Sequence, residues 1–152
     1  MLAASAAAVT TSAVSALQAV PTLKETSLAV YALVQTLYSS RDSEVSGRLK
    51  CMDLDARAKV IEALVSDLDS VESKCCSSVV VAREFLRETM AELRVALEHL
   101  RTCSEIYDEA YFASLRYGSD VERAMDSVTT LGRMLRKRTE MLVQVLPLIK
   151  YD

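Results

Sequence analysis

Residues 86–111 read LRETMAELRVALEHLRTCSEIYDEAY, and apolar side chains recur along this stretch at intervals of three and four residues. That spacing places them on one side of an α-helix, which has 3.6 residues per turn. The stretch lies inside a longer run, residues 48–117, that contains neither glycine nor proline. The pattern predicts long amphipathic helices, with an inward stripe made of Leu86, Met90, Leu93, Leu97, Leu100, Tyr107 and Tyr111.

The length of this run indicates that it is not one helix. A single helix over residues 53–117 would be about 97 Å long at 1.5 Å per residue, which is too long for a compact domain of this size. We therefore predict that the run bends near residue 76 into a hairpin of two antiparallel neighbouring helices. In such a hairpin, Cys51 and Cys103 are equally far from the bend and could face each other.

Upstream of the run, a capping pattern marks the start of another helix. Pro21 is followed by Thr22 and, three residues later, by Glu25, which is the arrangement of a capping box. The helix should end within residues 39–42, where polar residues accumulate, and we predict a loop over residues 41–49. Its buried face should hold Val30, Leu33, Val34 and Leu37.

Two further helix starts are marked in the same way. Asp53 is placed to act as an N-cap for the third helix. Gly118 suits the C-terminal end of the fourth helix, while Ser119 and Glu122 form a second capping box for the last one. That last helix should run to about residue 146, because Pro147 cannot continue it.

Composition supports an all-α fold. The 152 residues include three glycines and two prolines, too few for a sheet with many turns. We predict an antiparallel bundle of four main helices in residues 21–152, preceded by an alanine-rich helix in residues 1–20. Residues 1–23 carry no charge, so residues 1–20 either pack closely on a partner or form a cleavable leader.

Net charge and cysteine content narrow the possible environments. A net charge of −3 gives no general attraction for nucleic acid, and no segment is apolar enough for a transmembrane helix. The cysteines are too few for a disulfide scaffold at this length, so an intracellular and most simply cytoplasmic location is expected. They are Cys51, Cys75, Cys76 and Cys103.

No pattern of catalytic, metal-binding or cofactor-binding residues is present. His99 is the one histidine, and it has no partner at the spacing of a metal motif or beside a marked nucleophile. No glycine-rich phosphate loop is found. The acidic line Glu84, Glu88 and Glu92 is interleaved with arginines, which is typical of a solvated helix face. We therefore expect neither enzymatic activity nor a cofactor or metal.

Assembly through helix faces is the function that this pattern favours. Apolar stripes of this length are typical of coiled coils and of oligomeric structural or adaptor subunits. We expect the chain to pair with itself or with another helical protein. The candidate contact residues are Leu93, Leu97, Leu100, Tyr107 and Tyr111.

A basic segment of the last helix offers a second possibility. Four cationic residues within six positions could meet nucleic acid, anionic lipid or an acidic protein surface, although nucleic acid is disfavoured by the overall charge. The same residues also suit the C-terminal half of a helix, where the helix dipole favours positive charge. They are Arg133, Arg136, Lys137 and Arg138.

One tetrapeptide offers a third possibility. Ala19-Val20-Pro21-Thr22 resembles the AVPI-type motif with which Smac-like antagonists engage inhibitor-of-apoptosis domains, and those proteins are also helical bundles. The resemblance implies that Ala19 becomes a free N-terminus after removal of a mitochondrial leader. Residues 1–18 lack the basic residues of such leaders.

Overall fold

The computed structural model describes residues 21–40, 43–70, 76–109 and 118–148. The regular structure within these ranges is entirely helical, which confirms the predicted all-α bundle. The predicted helix over residues 1–20 lies outside the described residues. The elements are α1 (Leu23–Tyr38), α2 (Ser43–Met52), α3 (Leu54–Asp69), α4 (Ser77–Glu109), α5 (Gly118–Val145) and a closing 3-10 turn, Leu146–Leu148.

The long glycine- and proline-free run is divided into separate helices, as its length predicts. α3 ends at Asp69 and α4 begins at Ser77. The two helices do not lie side by side as the predicted hairpin requires, because α1 packs against both of them. Beyond its first turn α1 carries no charged side chain, so it can be buried on two sides. An ion pair from Arg83 to Asp69 joins the near ends of α3 and α4.

The remaining contacts fix the directions of the helices. α1 and α3 run antiparallel, since Tyr38 at the end of α1 donates a hydrogen bond to Asp55 at the start of α3. α4 and α5 also run antiparallel and share the most extensive interface of the bundle.

Near the middle of α5, a Cβ added to Gly132 would overlap Met52 and touch Leu54. This glycine thus allows a close approach of α5 to the end of α2 and the start of α3.

The predicted loop over residues 41–49 is wrong, because Ser43–Met52 forms helix α2. Val45 and Leu49 lie four residues apart and are both buried, so one turn of helix brings both side chains into the core. Gly47 stands inside this helix with no atom near the place of a side chain. Packing of the two apolar residues therefore outweighs the helix-weakening effect of the glycine.

The predicted boundary at Asp53 is right in position but differs in mechanism. Asp53 separates α2 from α3 in the left-handed conformation, with φ 54° and ψ 35°. Its side chain makes no capping hydrogen bond. Aspartate tolerates this conformation better than most residues do, which lets one residue turn the chain between two helices.

Of the other predicted helix ends, the start of α1 and the end of α5 are matched, and the second capping box is not. The capping box before α1 is confirmed: the N–H of Glu25 donates to Thr22 Oγ1 at 3.1 Å, and the N–H of Thr22 donates to the Glu25 carboxylate at 3.3 Å. α5 already includes Gly118, so Ser119 lies inside the helix and does not precede it as a cap. α5 ends at Val145, just before the turn that contains Pro147.

Candidate interaction surfaces

The leucines predicted as contact residues form part of the chain's own core. Leu93, Leu97 and Leu100 are 0% exposed in this structure. Tyr107 is half-buried and packs against the same core, while Tyr111 lies outside the described residues. The inward stripe of α4 is thus covered by α1 and α5, and a partner would need a different face.

Arg138, one of the four basic residues, is bound within the bundle. Its Nη1 donates to the carbonyl oxygen of Phe85 at 3.0 Å and to the hydroxyl of Thr89. Its guanidinium lies over the Phe85 ring, with Cζ 5.3 Å from the ring centroid. Arg138 therefore joins α5 to α4 and is half-buried there.

The other three basic residues are exposed but do not form a uniform cationic face. Arg136 forms an ion pair with Glu140, at 3.2 Å from Nε to Oε1. Arg133 and Lys137 are exposed on the outer side of α5. The predicted cluster of four is divided, because successive residues of a helix point in different directions.

A second line of residues, part apolar and part polar, runs along the outside of α4. Val81, Phe85, Val95 and Ile106 are large apolar residues with 40–66% of their surface exposed. They fall on one straight line of the helix, since steps of four and three residues alternate along it. We call this line the outer stripe; it comprises Val81, Phe85, Glu88, Glu92, Val95, His99, Thr102 and Ile106.

Two open depressions accompany the outer stripe on the side facing α5. The first lies between the start of α4 and the end of α5, beside Val81, Phe85 and Met141. The second lies beside Val95, where the small side chains of α4 and α5 leave space. Both are lined mostly by apolar surface, and their further members include Ala82, Val145, Ala91, Ala96 and Ser127.

The outer stripe was missed in the sequence although a signal for it existed. Val81, Val95 and Ile106 do not belong to the inward line through Leu86 and Leu97, so α4 carries more apolar residues than one buried face requires. The available signal was that these apolar residues share a second face of the helix, although Glu88, Glu92, His99 and Thr102 stand between them.

The histidine has a nearby sulfur atom that its sequence context did not indicate. Nε2 of His99 lies 3.6 Å from Sγ of Cys103, one helical turn away. Burial raises the pKa of the Cys103 thiol, and the charge of Asp120 raises it further. A raised pKa disfavours the thiolate, which is the form in which a cysteine acts as a nucleophile.

The expected Cys51–Cys103 contact is not formed, and one carboxylate of the acidic line of α4 is paired with an arginine. Cys51 and Cys103 do not face each other: both are free thiols, and Cys51 is exposed whereas Cys103 is buried. Glu84 accepts hydrogen bonds from Arg87, which lowers the pKa of its carboxyl group.

Among the described residues, no group of three or more potential ligands is positioned to hold a metal ion. None of the helices described is both long and apolar enough to cross a membrane.

Comparisons with known proteins found no relative of this chain. No protein-family model, curated protein or solved structure matches this chain. Within the AVPI-like tetrapeptide, Ala19 and Val20 lie outside the described residues. Thr22 is engaged in the capping box of α1, so in this fold it serves the helix start.

Proposed function

We propose that this chain is a non-catalytic assembly subunit that docks a helix of its partner on the outer stripe of α4. The observation that carries the proposal is the exposure of Val81, Phe85, Val95 and Ile106 along one helical line. Isolated apolar residues on a surface are ordinary. Several of them on one face of a helix, beside depressions, are typical of a surface that binds a helix of another protein.

The positions of the outer stripe and of the two depressions beside it support a helical partner. A helix presents apolar side chains along one face, and the four apolar residues of the outer stripe, at positions 81, 85, 95 and 106, also lie along one face of α4. The depressions beside Val81 and Val95 lie on one side of α4 and can each receive a side chain. Between them, Arg138 fixes the spacing of α4 and α5 through Phe85, so the docking surface is preorganised.

Site-specific photo-crosslinking in cells that naturally produce the protein tests this proposal. A photoreactive amino acid replaces Val95, which is 66% exposed on the outer stripe. The matched control replaces Val60, which is 61% exposed on α3, away from the outer stripe. We expect a discrete crosslinked product from position 95 and none from position 60. Equal crosslinking at both positions, or none at position 95, would contradict the proposal.

A further inference from the structure

We infer that the partner is a second copy of this chain, docked with its α4 antiparallel to the first across the two outer stripes. The inference rests on the proposed function, because it names the occupant of the same surface. It is carried by three properties of the outer stripe: its symmetry, the fit of its side chains to the adjacent depressions, and its length.

The first property is that the order of residues along the stripe is self-complementary. When two copies are aligned antiparallel about a centre between residues 93 and 94, each stripe residue faces the one equally distant on the other side. Val81 then faces Ile106 of the second copy, so an apolar pair forms at each end. Glu88 faces His99 of the second copy, where an imidazole N–H can donate to a carboxylate.

The inner pairs of this alignment avoid direct opposition of like charges. Glu92 faces Val95 and Phe85 faces Thr102, so no two acidic side chains are directly opposed. The two Glu92 residues flank the two-fold axis, so their carboxylates must turn outward to solvent. A parallel alignment in register would place Glu88 against Glu88 and Glu92 against Glu92. Because like charges in direct opposition destabilise an interface, the sequence of the stripe favours the antiparallel pair.

The depressions receive side chains in this alignment. Ile106 of the second copy reaches the level of Val81 and Phe85, where the first depression opens toward Met141. Val95 of the second copy reaches the level of Glu92, beside the second depression. The alignment chosen from the residue order thus also places the protruding apolar side chains over the available spaces.

The projected size of the surface, with α5 included, is comparable with that of a standard interface. The stripe from Val81 to Ile106 is about 38 Å long at 1.5 Å per residue. With α5 beside α4 the face is two helices wide, about 20 Å at an interaxial distance near 10 Å. The resulting footprint of about 760 Å² per copy is close to the ~800 Å² per partner of a standard interface.

Sedimentation velocity of the purified full chain, with a charge exchange on the stripe, tests the inference. The variants are Glu88→Lys, His99→Glu and the double variant, with circular dichroism to verify that each remains helical. We expect a dimer for the unmodified chain and a dissociation constant about tenfold higher for each single variant. The double variant should regain most of this loss, since the lysine introduced at position 88 then faces the glutamate introduced at position 99 of the second copy.

The outcomes separate this inference from the proposed function. An unmodified chain that is monomeric at about 100 μM, or a double variant as weak as the single variants, overturns the antiparallel pair. If crosslinking from position 95 then still yields a product with a different protein, the proposed function stands and only the identity of the partner is wrong. If neither a dimer nor a crosslinked product forms, both are wrong.

Discussion

Arg138 of α5 and Phe85 of α4 are joined twice, because the guanidinium both lies over the ring and donates to the backbone carbonyl oxygen of the same residue. The bond to the carbonyl requires that the two helices stay in register at this level. Phe85 also belongs to the outer stripe, so the contact connects the stability of the bundle with the shape of its proposed docking surface.

Replacing Arg138 with alanine should destabilise the fold. The change removes a cation–π contact and two hydrogen bonds, for an expected loss of about 1–2 kcal/mol in the free energy of unfolding. Arg133→Ala is the matched control, because Arg133 is exposed on the same helix; it should change the same quantity by less than about 0.5 kcal/mol. Urea titrations measure both, and equal effects would contradict the role of Arg138.

Replacing Asp53 with glycine should stabilise the fold. The left-handed conformation at this position, φ 54°, is free of steric cost for glycine alone. We expect the free energy of unfolding to rise by about 0.5–1 kcal/mol for Asp53→Gly and to fall by at least about 1 kcal/mol for Asp53→Val. Thermal unfolding followed by circular dichroism checks the order of the three proteins. A valine variant as stable as the parent would show that this conformation is not the one populated.

The two helical glycines should respond differently to alanine. At Gly47 an added methyl group meets no atom, so Gly47→Ala should gain about 0.5–1 kcal/mol from helix propensity. At Gly132 the methyl group would overlap Met52, which must turn aside. Gly132→Ala should therefore gain less than Gly47→Ala or lose stability. Chemical denaturation of the two variants compares them directly, and a larger gain at Gly132 would refute the close approach.

The hydrogen bond from Tyr38 to Asp55 should make the fold sensitive to alkaline pH. Burial, this hydrogen bond and the charges of Asp55 and Asp53 raise the pKa of the Tyr38 phenol above its ordinary value of 10.0. The stabilisation is fully present below that ordinary value and declines as the pH rises above it, since only the unfolded state then releases the proton readily.

The phenylalanine variant tests this dependence. Tyr38→Phe should lose about 1–2 kcal/mol near neutral pH. It should also lose less stability than the unmodified chain when the pH is raised from about 9 to about 11. Cys103, whose pKa burial also raises, titrates in both proteins and cancels in the comparison. Parallel pH profiles for the two proteins would mean that Tyr38 does not contribute.

Local signals in the sequence were sufficient for much of the fold. The capping box of Thr22 and Glu25 depends on residues three positions apart, and it forms as predicted. The inward line of α4 likewise follows from helical geometry alone, and its leucines are buried. Such features are set by contacts within one or two turns, which a single sequence records.

Other features depend on contacts between distant segments. Helix α2 forms because Val45 and Leu49 find a core to enter, which the polar residues and glycine around them do not reveal. The position of α1 against both α3 and α4 is decided by three-dimensional packing, so no local pattern indicates that the expected neighbours are separated. Arg138 was grouped with its sequence neighbours because its partners, Phe85 and Thr89, lie on another helix.

The central claim is that the outer stripe of α4 is the assembly surface, and two exposed valines test it most directly. Sedimentation velocity across a range of concentrations compares the unmodified chain with Val95→Glu on the outer stripe and Val60→Glu on α3, since both valines are more than 60% exposed. A buried glutamate lacking a partner is costly, whereas an exposed one is not. The account predicts that Val95→Glu abolishes self-association and that Val60→Glu leaves it unchanged. Self-association that survives Val95→Glu, or that is lost equally in both variants, would contradict it.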